Sequence, residues 1–564
     1  MKILTLHSDY IKYQAKKKAI KDAEKTTVKE ITVKDCLVIL TAVEKPDESN
    51  VKKISEKLVN EIKNIASQVK TKNIVLYPYA HLSSNLASPS KALEILKTSE
   101  TLLKKDFKVT RAPFGYYKSF ELKCKGHPLS ELSREFTVEE KEEEKYNYKQ
   151  LLKEISKTKL SKEKLKENDH RIIGQKLDLF SFSEIAPGMV FWHPKGLIIK
   201  NELIKFWQQL HKKYNYQEIS TPIILDKKLW QISGHWEKYR ENIFLTEYNK
   251  RTFAVKPMNC PGGILIYKSS IKSYKYFPLR ISELGLVHRQ ELSGVLGGLF
   301  RVIQFVQDDA HIYCSEKQLE EEINNVFNLA EEIYKIFNFN YNIELSTRPI
   351  KRIGTDKMWD KAEKALENVL KKRKIKYKTN KGEGAFYGPK IDFHIKDSLG
   401  RTWQYGTIQV DFSMPERFDL TYEGEDGKKY RPVMVHRAIY GSLERFIGML
   451  LENFSGNLPL WLNPNQVKIA TVNDRNIKSA KEILEKLNNE DIRVELDDKN
   501  ETINKKIRDA QLEKFNYIIV IGDKEEENKT LAVRTRDGKV NFNVKIEDFI
   551  NEVKENIKDK NIKC

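Results

Sequence analysis

The amino-acid sequence predicts a multidomain protein of the α/β and α+β classes. The chain has 564 residues, and at about 150 residues per domain this length predicts three or four domains. Strand-like and helix-like segments alternate near both ends, whereas the middle holds a strand, a glycine-bearing loop and a second strand. Because 40% of the residues are hydrophobic, the chain can bury real cores, and its composition excludes disordered, collagen-like and disulfide-scaffold proteins.

The first region, residues 1–134, is predicted to alternate strands and helices. It opens with a strand, KILTLHS, and the charged stretch that follows is predicted to be helical. A strand around Cys36–Val43 precedes a helix over Val51–Val69, whose apolar residues recur every three or four positions. The strand NIVLYPYA and a helix over Ser90–Lys105 then lead into the segment FKVTRAPFGYYKSFELKC.

Composition changes after Arg134, which marks the first domain boundary. Residues 135–170 include the run EEKEEEK and little that could be buried, so we interpret them as a charged, partly helical linker. The second region spans residues 171–460. The proline- and asparagine-bearing segment LPLWLNPNQ precedes the third region, residues 461–564, where alternating strands and helices predict a small α/β domain.

The charge and the cysteines indicate partners and location. Lysine and arginine total 100 and aspartate and glutamate 80, giving a formal net charge of +20. This excess favours an anionic partner, first a nucleic acid and then a membrane surface, although a solvated lysine-rich surface explains it equally well. The five scattered cysteines form no C-x-x-C pair, the start MKILTLHSDY lacks a signal-peptide layout, and the longest apolar runs are strand-length. We therefore expect a soluble cytoplasmic protein without a membrane partner.

Residues Leu279–Cys314 are predicted to form an antiparallel hairpin with a long loop. The strand period of two places Arg301, Gln307, Asp309 and His311 on one face of the second strand. Burying an unpaired amide, carboxylate or imidazole costs kilocalories per group, so these side chains either face solvent or line a site.

The loop side of this hairpin suggests phosphate binding. Arg289 and Glu291 share a face of the first strand by the same period, and the planar fork of an arginine beside a loop suits a phosphate. Farther on, a helix is predicted to carry Gly441, Ser442 and Arg445 on one face. A solvated hairpin and a surface arginine are the alternatives. Neither a Walker loop nor a Rossmann GxGxxG is present.

Cys260, His311 and His436 are possible metal ligands. One thiolate and two imidazoles suit zinc and leave a fourth coordination position open, as in catalytic zinc sites. Their spacing is long and irregular, which by itself weakens this interpretation.

Taken in order, several segments resemble class II aminoacyl-tRNA synthetases, and within that class the threonyl-tRNA synthetase family. The segments are DHRIIGQKLDLFSF, VKPMNCPG, HRQE, FVQDDAHIYC, GAFYGPKIDF, QYGTIQVDF and HRAIYGSLERF. The resemblance implies an antiparallel catalytic sheet flanked by helices, and a homodimer formed through the helix and strand that end at Pro222. One departure is CPGG at Cys260–Gly263, where bacterial members usually end in histidine.

The resemblance implies an ATP site made by the hairpin and the later helix. Arg289 would bind the α-phosphate, Glu291 the adenine amino group, and Arg301 and Arg445 the rest of the triphosphate. Magnesium would accompany the ATP.

The resemblance also implies a threonine pocket built around zinc. Cys260, His311 and His436 match the family's three zinc ligands, one ion per subunit, and Asp309 would accept the threonine hydroxyl. Further residues match pocket positions, although Met258 and Tyr387 could instead be core residues. They are Met258, Gln307, Tyr387, Lys390, Gln404, Gln409 and Ser442.

Such a pocket rejects valine, which lacks the hydroxyl, better than serine, which lacks only a methyl group. A missing methyl is worth about 1–3 kcal/mol, so we expect a second site that removes serine from mischarged tRNA. Residues 1–134 resemble the archaeal editing domain of this family, which is similar in fold to D-aminoacyl-tRNA deacylase. His81, Tyr117, Lys118 and Glu131 fall on its functional positions. A tRNA-docking domain without catalysis is the alternative.

The third region resembles the anticodon-binding domain of class II enzymes, in which Arg534 and Arg536 would contact RNA unless they form a solvated turn. The sequence thus predicts a ligase that uses ATP, L-threonine and threonine tRNA. A seryl or prolyl enzyme and a non-catalytic tRNA-binding paralogue are the competing hypotheses.

Overall fold

The computed structural model describes residues 1–26, 29–136, 152, 165–397 and 400–562. The chain divides into two compact units, Met1–Asn147 and Tyr148–Cys564. Most of the predicted charged linker, residues 135–170, therefore lies outside the described residues. No helix in the described ranges combines the length and apolar composition needed to cross a membrane.

The first unit is a six-stranded sheet with two helices packed on it. The sheet has the order β4-β3-β2-β1-β5, and β6 also pairs with β1. Strand β1 is antiparallel to its neighbours, whereas β2, β3 and β4 are parallel. The elements are β1 (Lys2–Lys18), β2 (Ile31–Ala42), α1 (Val51–Gln68), β3 (Asn73–Pro78), α2 (Pro89–Leu103), β4 (Lys108–Arg111), β5 (Tyr116–Cys124) and β6 (Glu131–Glu135).

The helix predicted after KILTLHS is wrong, because β1 continues through this segment to Lys18. The side chains of Ile11, Tyr13 and Ala15 are buried at alternate positions between exposed or half-buried lysines and glutamine. That period of two is a strand pattern, and β1 here pairs with both β2 and β5. The high lysine content hid the alternation.

The second unit contains a large, mostly antiparallel sheet flanked by helices. Its eight strands have the order β17-β16-β18-β19-β22-β15-β14-β9. These strands are β9 (Gln217–Glu218), β14 (Leu279–His288), β15 (Gln304–Cys314), β16 (Tyr341–Ser346), β17 (Tyr377–Asn380), β18 (Lys390–Lys396), β19 (Thr402–Asp411) and β22 (Val433–Ala438).

Helices and short strands complete this part of the second unit. The helices are α3 (His170–Lys176), α4 (Pro194–Lys213), α5 (Lys227–Ser233), α6 (His235–Tyr239), α7 (Cys260–Lys268), α8 (Leu319–Ile336), α9 (Asp356–Lys372), α10 (Ser413–Arg417) and α11 (Leu443–Asn453). The short strands are β7 (Phe180–Ser181), β8 (Phe191–Trp192), β10 (Ile224–Asp226), β11 (Leu245–Tyr248), β12 (Arg251–Val255), β13 (Lys272–Ser273), β20 (Tyr422–Glu423) and β21 (Lys429–Tyr430). One hydrophobic core joins α4, α8, α9 and α11 to the large sheet.

The end of the chain folds as the predicted small α/β domain. Its five strands have the order β24-β23-β25-β26-β27, with β23 parallel to β24 and β25. The elements are β23 (Val467–Thr471), α12 (Ile477–Asn489), β24 (Val494–Asp497), α13 (Ile503–Leu512), β25 (Tyr517–Ile521), α14 (Asp523–Asn528), β26 (Leu531–Thr535), β27 (Val540–Val544) and α15 (Ile546–Lys558).

A buried ion pair joins two strands of the large sheet to each other and to helix α4. Asp308 on β15 accepts hydrogen bonds from Trp207 Nε1 on α4 at 2.6 Å and from Arg437 Nη1 on β22 at 2.8 Å. Its other oxygen accepts the backbone N–H groups of Ile439 and Tyr440 at 2.9 and 2.8 Å. All four carboxylate contacts are thus made inside the protein.

Asp308→Ala should therefore destabilise the second unit by about 3–5 kcal/mol, because it leaves the Arg437 charge buried without its partner. Denaturant unfolding of the full chain, followed by tryptophan fluorescence, measures this change. Lys361→Ala, which removes an exposed ion pair with Glu316, should change stability by less than about 1 kcal/mol. Equal effects of the two variants would contradict the assigned role of Asp308.

Candidate active site

The predicted hairpin is confirmed, and its loop carries the charged residues. Strands β14 and β15 pair without interruption from Leu279 opposite Tyr313 to His288 opposite Gln304. Because β14 ends at His288, Arg289 and Glu291 lie in the loop rather than on a strand face. Arg301 likewise precedes β15, so its predicted place in the second strand is wrong.

The loop, β15, β19 and β22 surround a cavity of about 510 Å³. Within the described residues, the cavity is lined by nearly all the positions that the sequence singled out for ATP, threonine and metal binding. These are Met258, Cys260, Arg289, Glu291, Arg301, Gln307, Asp309, Tyr387, Lys390, Gln404, Gln409, His436, Ser442 and Arg445.

Three arginines line this cavity close to one another. The guanidinium of Arg289 lies 5.1 Å from the centre of the Phe305 ring, and Arg301 Nη2 pairs with Glu291 Oε2 at 2.9 Å. Arg445 donates to two backbone carbonyls, those of Phe300 at 2.9 Å and Gln404 at 3.0 Å. Burial, together with the other two arginines, lowers the pKa of Arg445. Several guanidinium groups at one place form a site suited to a polyphosphate.

Ser442 does not share a helical face with Arg445, so that prediction is wrong. Helix α11 begins at Leu443, and Ser442 is its N-cap, with Oγ accepting the N–H of Arg445 at 3.1 Å. Gly441 precedes the cap at a φ of 74°, where a side chain would be strained and its Cβ would lie 2.8 Å from the Tyr405 carbonyl oxygen. The glycine and the serine thus end the strand connection and start the helix.

Cys260, His311 and His436 come together, and Cys260 and His436 line the same cavity as the arginines. One ligand atom from each lies within 4.8 Å of the others, and all three residues are buried. Cys260, the first residue of α7, supplies the thiol. His311 on β15 lies opposite His436 on β22. Asp411 Oδ2 is 2.9 Å from His436 Nε2, a carboxylate contact typical of metal-binding imidazoles.

The chemistry of these three side chains fits a zinc ion. Burial, reinforced by nearby Asp309 and Asp411, raises the pKa of the Cys260 thiol well above its usual value, so only a bound cation would make the thiolate at neutral pH. Burial also lowers the pKa of His311, which keeps the imidazole neutral. Its Nε2 is buried without a hydrogen bond to any described residue.

Other polar side chains of the cavity are held in place by neighbouring residues. Burial raises the pKa of Asp309 to about 6, and Asn259 Nδ2 donates to its Oδ2 at 3.1 Å. Asp392 accepts from Gln404 at 2.6 Å and pairs with Lys390 at 2.7 Å. Asn259 lies within the VKPMNCPG segment and Asp392 within GAFYGPKIDF, but neither was predicted to be a site residue.

In the first unit, Lys118 and His81 meet at one aromatic cluster. Lys118 Nζ lies 5.0 Å from the centre of the Tyr77 ring, and burial lowers its pKa to about 8. The His81 ring packs against Tyr79 at 5.3 Å, and Tyr79 in turn packs against Tyr77 at 6.3 Å.

The other two predicted editing residues are exposed on neighbouring strands. Tyr117 precedes Lys118 on β5, so its side chain leaves the opposite face of the strand. Glu131 is the first residue of β6 and pairs with Leu6 on β1. The structure thus joins Lys118 and His81 through aromatic rings and shows Tyr117 and Glu131 at the surface.

The two arginines predicted to contact RNA differ in their surroundings. Arg536 donates through Nη1 to the Leu458 carbonyl and through Nη2 to the Lys514 carbonyl, both at 2.9 Å. Arg534 donates to the Gly538 carbonyl at 3.0 Å across the β26–β27 turn. Arg536 therefore supports the junction before the small domain, while Arg534 supports its hairpin turn.

The fold and the cavity are those of a class II aminoacyl-tRNA synthetase. Residues 243–454 match the tRNA synthetase class II core domain (G, H, P, S and T). A crystal structure of prolyl-tRNA synthetase from Cryptosporidium parvum is 16% identical, with a TM-score of 0.55, over 69% of this chain and 77% of that one. This likeness supports the fold.

Within that class, the chain belongs to the threonyl-tRNA synthetase family. A crystal structure of the RNA binding domain of threonyl-tRNA synthetase from Cryptosporidium parvum is 39% identical, with a TM-score of 0.67, over 69% of this chain and 98% of that one. The threonine–tRNA ligase of Carboxydothermus hydrogenoformans is 54% identical over 397 residues, or 70% of this chain. The match spans 63% of that relative's length.

The two ends of the chain match separate families. Residues 1–136 match the Archaea-specific editing domain of threonyl-tRNA synthetase, which confirms the archaeal type of first domain. Residues 466–556 match an anticodon binding domain.

Proposed function

We propose that the protein is a threonine–tRNA ligase that activates threonine with ATP and transfers it to threonine tRNA. One observation carries this proposal: Cys260, His311 and His436 cluster beside the buried Asp309, and Cys260, His436 and Asp309 line one cavity together with three arginines. A zinc-binding set suits the hydroxyl and amino group of threonine, and the arginines suit a triphosphate. Proline has no hydroxyl for such a metal-binding set to recognise, whereas serine has one, so the charging experiment below decides the seryl alternative.

In the proposed reaction, the threonine carboxylate attacks the α-phosphorus of ATP and pyrophosphate leaves. Arg289 would bind the α-phosphate, and Arg301 and Arg445 the departing phosphates, because fixed positive groups stabilise the charge that develops in the transition state. Glu291 would accept a hydrogen bond from the adenine amino group, and magnesium would neutralise the remaining phosphate oxygens. The threonyl group then passes to a terminal ribose hydroxyl of the tRNA, releasing AMP.

Amino-acid selection would take place beside the metal-binding residues. Cys260, His311 and His436 would hold zinc, which supplies a Lewis acid for the amino group and hydroxyl of threonine. Asp309, fixed by Asn259, would accept the hydroxyl proton. Met258, Gln307, Tyr387 and Gln409 would shape the pocket around the methyl group and the carboxylate.

The remaining predictions extend this proposal to the other domains. The first unit would hydrolyse seryl-tRNA, and the small domain would bind the anticodon with Arg534 as the more accessible contact. We infer that the enzyme works as a homodimer in the cytoplasm. Much of the net charge of +20 would face the tRNA backbone, so binding should weaken steeply with added salt.

Aminoacylation of unfractionated tRNA tests the proposed function. With zinc, magnesium and ATP, the purified full chain should charge tRNA with labelled threonine, and the charged species should be threonine tRNA. Charging with proline or serine alone would reject the assignment.

The editing role of the first unit makes its own prediction. Lys118→Ala should leave threonylation unchanged, because Lys118 belongs to the other compact unit, but should let seryl-tRNA accumulate when serine is supplied. Lys123→Ala is the matched control, since Lys123 lies on the same strand and is exposed. Acid-gel analysis of tRNA charged with labelled serine measures the product. If seryl-tRNA does not rise above the control, Lys118 has no part in editing.

A further inference from the structure

The segment DHRIIGQ, at the start of the predicted catalytic region, contains a buried histidine that the proposed reaction does not use. His170 is 1% exposed and begins α3. Its Nδ1 lies 2.7 Å from Glu452 Oε1, and the backbone N–H of Leu299 donates to its Nε2 at 2.9 Å. Because Nε2 accepts, the ring proton is on Nδ1 and is donated to Glu452.

Glu452 connects this imidazole to an arginine. It is fully buried in the last turn of α11 and accepts from Arg401 Nη2 at 2.9 and 3.1 Å. The Arg401 guanidinium also lies 5.0 Å from the centre of the Phe300 ring. Because this arginine compensates the buried carboxylate, the cluster of Asp169, His170 and Glu452 forms a structural charge network rather than a metal site.

The same histidine packs against the loop that reaches the ATP end of the cavity. Gly298 has a φ of 56°, and a Cβ there would lie 2.3 Å from His170 Nε2. On the other side, a Cβ on Gly448 of α11 would lie 3.2 Å from Leu299 Cβ. Gly298 and Leu299 therefore lie between the imidazole and the helix, where a methyl group on Gly298 would clash and one on Gly448 would be crowded.

The next two loop residues form part of the cavity wall. Phe300 stacks on Trp403 with ring centres 4.8 Å apart, and its carbonyl is one of the two acceptors that hold Arg445. Arg301 follows directly and lines the cavity. A displacement of Leu299 would thus move two of the three converging arginines.

We propose that His170 is a positioning residue for the ATP end of the cavity. Its Nε2 fixes the Leu299 amide, and its Nδ1–H fixes the ring on Glu452, so that Phe300 and Arg301 keep their places. The zinc-binding residues and Asp309 are on α7, β15 and β22, which this loop does not support. The kinetic test of this inference rests on the proposed function, whereas its amide hydrogen-exchange test rests on the structure alone.

The kinetic test compares His170→Ala with the wild type in threonine-dependent ATP–pyrophosphate exchange, using the zinc-loaded full chain. We expect the KM for ATP to rise about 10- to 100-fold, since small misplacement of binding groups has effects of this size. The KM for threonine and the zinc content should stay within twofold. His170→Asn, whose amide offers both an acceptor and a donor, should recover part of the loss.

His193→Ala is the matched control. This histidine also contacts a carboxylate, Asp178 at 2.6 Å, and a hydroxyl, Ser181 at 2.9 Å, but it makes no such contact with the loop. The KM for ATP of the His193→Ala variant should equal that of the wild type. If His170→Ala folds poorly, Gly298→Ala provides a second variant, because its added methyl group crowds the same imidazole from the loop side. It should likewise raise the KM for ATP and leave the KM for threonine unchanged.

Amide hydrogen exchange by mass spectrometry tests the positioning without any activity. His170→Ala should speed exchange in peptides that cover residues 297–301 and leave peptides from β22 unchanged. Unchanged exchange in 297–301, an unchanged KM for ATP, or a parallel rise in both KM values would overturn the proposal. If the wild type activates no threonine, the proposed function is rejected. Amide hydrogen exchange in residues 297–301 would still decide the role of His170.

Discussion

Cys260→Ser should remove bound zinc and threonine activation together. The serine hydroxyl is not ionised at neutral pH and is a poor zinc ligand, and His311 and His436 alone cannot complete the site. Loss of an outer contact to a metal ligand already costs about 10–100-fold, so loss of a ligand should lower kcat/KM for threonine by about 100-fold or more. In this variant, both the zinc content, measured by elemental analysis, and the rate of threonine-dependent ATP–pyrophosphate exchange should fall.

Cys36→Ser is the matched control for this change. Cys36 is also fully buried, but it lies on β2 of the first unit, so its replacement should leave zinc content and threonine activation intact. Full zinc content with full activity in Cys260→Ser would disprove the metal assignment. Loss of activity with zinc retained would show that the thiol acts in another way.

Arg445→Ala should produce the second large effect, a loss of about 100- to 1,000-fold in kcat for adenylate formation. This is the usual cost of removing a preorganised group that stabilises transition-state charge. Arg445→Lys should recover little, because the guanidinium is aimed by two backbone carbonyls that one ammonium cannot reach in the same geometry. Zinc content and the KM for threonine should change little.

Arg251→Ala provides the control for arginine removal. The Arg251 side chain is 61% exposed and pairs with Asp226 on the edge of a small sheet, so its loss should change kcat by less than twofold. If Arg445→Ala keeps the wild-type kcat, Arg445 only lines the cavity and is not part of the phosphate site.

The hairpin that builds the cavity was predictable because its strand period is regular. Gln307, Asp309 and His311 are polar at alternate positions of β15, and such a pattern indicates a polar strand face whatever surrounds it. The alternation of side chains along the strands could not predict the residues at which the two strands end. Arg289, Glu291 and Arg301 lie in the loop because pairing stops at His288 and Gln304, which depends on contacts beyond the hairpin.

Other features depend on residues far apart in the chain. Cys260, His311 and His436 lie on three separate elements, so their spacing could not predict that they meet. Their side-chain chemistry made a zinc site possible, and the family resemblance supported it. The partners Asn259, Asp392 and Asp411 lie within the segments that carry the family resemblance, but their hydrogen-bond partners became known only from the structure. In β1, lysines between the buried Ile11, Tyr13 and Ala15 resembled a charged helix, although the residues that decide the fold are the buried ones.

Threonine-dependent ATP–pyrophosphate exchange by the zinc-loaded full chain tests the central claim most directly. Threonine, serine, valine and proline should be compared in parallel. Strong exchange with threonine, weaker exchange with serine and almost none with valine or proline would agree with a pocket that recognises the hydroxyl but measures the methyl group poorly. Strong exchange with proline or with serine alone, or none with any of the four from folded protein that contains zinc, would contradict the proposal that this cavity activates threonine.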